Sequence, residues 1–176
     1  NTLNDFDGIS ETSSAGIVTV DSLNIGQHGT KNGGDCDSVG TWVPTDAGPE
    51  GGTCTLTSDI QITGTGYGII LQSSRVTLDG SGYTITGTST ESTSGDQHVG
   101  VTIPSQKHTM AIKNLTIDTF AYGIKSYYTN GITISGVTMQ NIGKRRINLD
   151  SVDSMLIENN VFTSPNNSGG THAMML

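Results

Sequence analysis

Five residues in the second half of the chain carry side chains that could form a catalytic or binding face: Lys125, Tyr127, Arg146 and Asp150, which are ionisable, and Asn148, which hydrogen-bonds. A lysine or arginine base works on a carbon acid when a bound cation neutralises the neighbouring carboxylate. The plain alternative is a solvated charged face on which Arg146 and Asp150 balance each other. Asp5-Phe6-Asp7-Gly8 and Asp35-Cys36-Asp37 offer oxygen ligands of the kind calcium takes, but such pairs are more often acidic turns. His28, His98, His108 and His172 show no i, i+2 or His-x3-His pair, so they read as single surface histidines rather than a copper or zinc set.

Cys36 and Cys54 are the only cysteines and enclose 17 residues rich in Gly and Pro. Without a CxxC pair, a disulfide is expected rather than a zinc site. A bond across such a loop contributes ~3 kcal/mol and places the chain in an oxidising compartment. The sequence opens at Asn1 with neither Met nor a signal peptide, which reads as a processed, secreted product. Asn114-Leu115-Thr116 and Asn166-Asn167-Ser168 are glycosylation sequons.

The chain has 176 residues, 16 acidic against 8 basic, and a formal charge of −8. Nine of the acids and one base lie in residues 1–60. Such a balance disfavours duplex nucleic acid and anionic membranes as partners. No apolar run is long enough to span a bilayer. Few charges, 24 glycines and many Ser, Thr and Asn suit strands and turns better than helices.

What positions the candidate residues is an internal repeat. Gly68-Ile69-Ile70-Leu71, Gly100-Val101-Thr102-Ile103, Gly123-Ile124-Lys125-Ser126, Arg146-Ile147-Asn148-Leu149 and Ala173-Met174-Met175-Leu176 align, with steps of 32, 23, 23 and 27 residues. The longer steps call for insertions near 88–97 and 165–170. A second series (Val76-Thr77-Leu78, Met110-Ala111-Ile112, Ile132-Thr133-Ile134, Met155-Leu156-Ile157) and a third (Tyr83-Thr84-Ile85, Leu115-Thr116-Ile117, Val137-Thr138-Met139, Val161-Phe162-Thr163) follow. Alternation gives each segment one apolar and one solvent face. Three such faces per ~23 residues predict a parallel β-helix, each strand pairing with its equivalent one rung away at ~4.8 Å. The turns Asp79-Gly80, Lys113-Asn114, Ser135-Gly136 and Glu158-Asn159 place Gly or Asn where a left-handed residue is needed. Ile69, Leu71, Val101, Ile103, Ile124, Ile147, Leu149 and Met174 are the expected inward columns. Thr77 with Thr133, and Thr84 with Thr116 and Thr138, form outward threonine columns; Ala111, Leu156 and Phe162 interrupt them, which argues against ice binding.

Gly131-Ile132-Thr133-Ile134-Ser135-Gly136-Val137-Thr138 and Met155-Leu156-Ile157-Glu158-Asn159-Asn160-Val161-Phe162 resemble the repeat of the pectate-lyase-like superfamily. The nearest flavour is the NosD-like, carbohydrate-binding and sugar-hydrolase group. Asp35-Cys36-Asp37-Ser38-Val39-Gly40-Thr41-Trp42 and Thr53-Cys54-Thr55-Leu56 are similar to the opening segment of secreted microbial proteins of this kind. The resemblance implies an all-β, right-handed parallel β-helix. It also implies a functional face outside the first repeat strand, where Lys125, Tyr127, Arg146, Asn148 and Asp150 would gather and Lys125 or Arg146 would act as a lyase base. The motifs of polygalacturonase-like and epimerase-like enzymes are absent, so no catalytic residue carries over.

The organisation expected is an N-terminal arm and cap with the disulfide loop over 1–60, then rungs over 61–176, the last one incomplete. The cap is expected to hold the Cys36–Cys54 bond at the N-terminal end. An unfinished apolar rung at His172, Met174, Met175 and Leu176 calls for a further part of a longer protein or another copy of this one; with Ile17, Val18 and Val20 as its complement, head-to-tail stacking of identical copies is the favoured reading. The sequence is therefore read as an extracellular structural β-solenoid subunit forming a filament or surface layer. Its rival is a carbohydrate-binding or polysaccharide lyase- or hydrolase-like module, with polysaccharide as partner. No cofactor is expected apart from a weak calcium candidate.

Overall fold

The computed structural model describes residues 16–91, 97–163 and 172–175, the last four by backbone alone. Among the described residues every strand pair but one is parallel, and the strands form three six-stranded sheets. Sheet A orders β1 (Ile17–Val20), β5 (Asp59–Ile62), β8 (Thr84–Ser89), β11 (Thr116–Phe120), β14 (Thr138–Gln140) and β17 (Val161–Phe162). Sheet B orders β2 (Leu23–Ile25), β6 (Tyr67–Leu71), β9 (Val99–Ile103), β12 (Tyr122–Tyr127), β15 (Arg145–Asp150) and β18 (His172–Met175). Sheet C orders β3 (Gly40–Pro44), β4 (Gly52–Leu56), β7 (Val76–Asp79), β10 (His108–Lys113), β13 (Asn130–Ser135) and β16 (Asp153–Glu158). From β4 onward the chain visits C, A and B in turn, a route compatible with a β-helix-like fold.

The registers follow the repeat. Ile69 pairs with Val101, Val101 with Ile124, Ile124 with Ile147, and Ile147 with Met174. The described members of the inward columns are buried, because alternation sends every second side chain into the space between the sheets. Phe120, Leu78 and Ile112 from the other two sheets close the same core.

At one corner the inward position is held by Gly68, Gly100 and Gly123. A methyl added at Gly100 would meet Ile117 Cγ2 at 2.6 Å and the Gly123 carbonyl at 2.8 Å. These glycines therefore let successive rungs approach. Non-glycine residues occupy left-handed positions at Asn114 (φ 51°) and Asn159 (φ 55°), with Gly136 at 63°. The fourth turn differs: Ser81, not Gly80, takes the positive φ (52°). Gly80 is instead required because a methyl there would meet the Asn114 carbonyl at 2.5 Å.

The disulfide forms, with a Cα–Cα distance of 5.8 Å, but it is not at the N-terminus. β1 and β2 precede it. It joins the short helix α1 (Cys36–Val39) to β4, and both sulfurs lie in the core. β3 pairs antiparallel with β4 and ends sheet C there, Trp42 standing opposite Cys54.

Candidate functional site

The outer face of sheet B carries the expected column Ile70, Thr102, Lys125, Asn148 and Met175 in register. It is not an open face. Thr102, Lys125 and Asn148 are each at least nine-tenths buried. Lys125 Nζ lies 4.7 Å from the Tyr122 ring centre and 5.5 Å from that of Tyr127, and donates to Gln97 Oε1 at 3.1 Å. Aromatic faces and an amide oxygen thus take up the ammonium charge. Asn148 Oδ1 accepts from Arg145 Nη1 at 3.3 Å.

Arg146 does not join this group. It follows the glycines in the inward corner column, is 3% exposed, and donates from Nη2 to the Thr163 carbonyl at 3.1 Å. Asp150 pairs with Tyr127 in the ladder but is exposed and accepts from Ser151 Oγ. The set read from sequence is thus split: Lys125, Tyr127 and Asn148 adjoin, Asp150 lies at the rim, and Arg146 faces the interior.

Asp35 Oδ2 accepts the Asn24 N–H at 2.6 Å, while Asp37 sits in the first turn of α1. Among the described residues no three His, Cys, Asp or Glu side chains are grouped to hold a metal. Asp5 and Asp7 lie outside the described residues, as do Asn166 and Leu176. Asn114 is exposed, and its Nδ2 donates to Asp79 Oδ1 at 3.1 Å. Burial pushes the Asp79 carboxyl up, but the Ser81 N–H, Asn114 and Lys113 more than offset this and hold it below its usual 3.8.

A site the sequence did not announce is built on Glu50, which is 6% exposed. Its carboxylate accepts the Gly29 N–H at 2.6 Å and the Ser74 N–H at 3.2 Å, with His28 Nδ1 at 3.1 Å. Burial raises this carboxyl, and the two backbone donors with His28 outweigh it, holding Glu50 below its usual 4.5. Glu50 so ties together three segments far apart in sequence.

The corner between sheets B and C forms a groove of about 500 Å³ lined by Lys107, His108, Tyr128, Asn130 and Asp153 among others. Tyr128 is 64% exposed and left-handed (φ 48°), in line with Gln106 (65°) and Ser151 (55°) on adjacent rungs.

The two ends of the sheets differ. Met155 continues the inward column of Ile132, which is 1% exposed, yet Met155 is 38% exposed. Leu156 and Val161 on the same rung are also exposed. Val161, not Phe162, continues the Thr138 column; Phe162 pairs with Met139. At the other end Val20 is buried, Val18 partly so, and Ile17 is 42% exposed.

No family model, no curated protein and no solved structure matches the chain. No helix among the described residues is long and apolar enough to cross a membrane.

Proposed function

We propose that this chain is an extracellular structural β-solenoid subunit, a right-handed parallel β-helix that stacks end to end with copies of itself. Right-handed crossovers between parallel strands of one sheet are nearly universal, which supports that hand for the coil. The intramolecular disulfide fits an oxidising compartment.

The observation that carries the reading is the rung of β16 and β17. A column that is buried at Ile132 becomes exposed at Met155, beside exposed Leu156 and Val161. Apolar side chains on strands that end their sheets among the described residues favour the addition of further strands. The engagement of Lys125 by tyrosine rings and of Arg146 by the Thr163 carbonyl supports a structural role over a lyase base.

The test is sedimentation velocity and negative-stain imaging of the full chain and of Met155→Asp. End-to-end particles that lengthen with concentration, and shorten in Met155→Asp, are the expected result. A wild-type chain that stays monomeric at high concentration overturns the reading.

A second reading, a glycan-binding module, is favoured by Tyr128. A large ring that is mostly exposed on a left-handed backbone gains little from folding, and it stands in a groove of polar side chains. Calorimetric titration with neutral and uronate oligosaccharides would show heat in the wild type and none in Tyr128→Ala.

A further inference from the structure

Head-to-tail stacking needs free strand edges at both ends, and the edge of β2 is occupied. Gly34 bridges antiparallel to Ile25. The Asp35 N–H donates to the Asn24 carbonyl at 2.8 Å, and the Asn24 N–H donates to Asp35 Oδ2 at 2.6 Å. The Gly26 N–H donates to the Gly33 carbonyl at 2.8 Å. These β2 groups are the ones a stacked strand of sheet B would use. In a second copy, β18 is the sheet B edge strand at the opposite end.

The segment doing this is unusual in what it lacks. From Gly26 to Gly34 it reads Gly-Gln-His-Gly-Thr-Lys-Asn-Gly-Gly, without one apolar side chain. No apolar side chain of its own anchors it; polar contacts and the packing of buried Gly33 against the Trp42 ring do. Its base rests on β2. Along its side the Lys31 carbonyl accepts the Trp42 Nε1–H at 2.8 Å. Its tip is held by Glu50, which takes the Gly29 N–H and bonds in turn to Ser74. Gly26 and Gly34, both left-handed at φ 76° and 63°, flank the segment, and buried Cys36 fixes its far root. A segment secured by a few polar contacts opens at low free energy compared with the core.

We propose that residues 26–35 are a flap that autoinhibits stacking by covering the edge of β2, and that Glu50 is its latch. The proposal rests on the end-to-end assembly reading. Removing the Glu50 carboxylate leaves the Gly29 and Ser74 N–H groups without their acceptor and frees the tip. β18 of another copy then takes the vacated edge.

The test compares the wild-type full chain, Glu50→Ala, and Asp35→Ala, which removes the acceptor of the Asn24 N–H on the β2 edge. Hydrogen exchange follows the Asn24, Gly26, Gly29 and Asp35 amides, and sedimentation velocity follows assembly. In Glu50→Ala these amides exchange faster while β9 and β12 keep their protection, and the concentration at which end-to-end oligomers appear falls by about tenfold, equivalent to ~1.4 kcal/mol. Asp35→Ala likewise speeds exchange of the Asn24 amide and lowers the threshold, and it decides the matter if Glu50→Ala does not fold. Faster exchange with an unchanged assembly threshold overturns the flap while leaving the stacking reading intact. Unchanged exchange in Glu50→Ala overturns the latch. If no form assembles although the β2 amides exchange faster, both readings fall.

Discussion

The corner glycines give the sharpest test of the rung geometry. At Gly68, Gly100 and Gly123 a methyl would point at the carbonyl oxygen of the same column one rung on. At Gly123 it would run into the Arg146 carbonyl and stand 2.8 Å from Met139 Sδ. The thioether can turn aside, but the carbonyl belongs to a ladder strand and cannot move alone. Overpacking of this kind costs about 1–3 kcal/mol. Gly→Ala also removes unfolded-state freedom, which returns about 0.4–1 kcal/mol. The net expectation for Gly123→Ala is a loss of about 1–2 kcal/mol, or roughly 2–8 °C in melting temperature for a chain of this size. Gly66→Ala is the control: nothing lies within 4 Å of its added methyl and its φ is not positive. It should melt slightly above the wild type. Differential scanning calorimetry on the three proteins decides. Should Gly123→Ala melt at or above the wild type, the close approach of rungs at this corner is wrong.

Ile124 is fully buried between Val101 and Ile147, so Ile124→Ala should lose about 2–5 kcal/mol in urea unfolding. Reducing the Cys36–Cys54 bond should lower stability by ~3 kcal/mol, measured by the same unfolding with and without reductant. Glu50 is held below its usual 4.5, so its contribution is complete above that value and is lost as pH falls through its lower folded value. The melting temperature of Glu50→Gln should therefore fall less steeply on acidification than that of the wild type, with circular dichroism melts as the measure.

The repeat was legible because two steps of 23 residues align apolar positions that must share a column, and the ladder pairs Val101, Ile124 and Ile147 as that alignment requires. The disulfide was legible as a pairing but not in its place, since nothing in the spacing of two cysteines says that two strands precede them. The outer face was misread at Arg146. It occupies the column of Gly68, Gly100 and Gly123, and alternation alone counts every second residue outward. At the corner the glycine backbone turns that position inward, where Arg146 finds the Thr163 carbonyl. Burial of Lys125 was equally invisible, because its partner Gln97 comes from outside the repeat. Glu50 left no periodic trace: its partners Gly29 and Ser74 lie 21 and 24 residues away on opposite sides. The left-handed turn residues were legible at Asn114, Gly136 and Asn159, where residue type announces them. They were not legible at Gln106, Tyr128 and Ser151, where it does not.

Because each strand bonds to the rungs before and after it, the backbone hydrogen bonds run along the stacking direction, and this fixes how the molecule should yield to load. Pulled between β1 and β15, it is peeled from the edge, one turn of chain at a time. Each 23-residue repeat released adds roughly 80 Å of contour length at ~3.5 Å per residue, a step that single-molecule force spectroscopy resolves. The Cys36–Cys54 bond withholds the segment it closes, so the first turn should lengthen less than the later ones until reductant is added. A strap built this way yields in graded instalments rather than in one rupture.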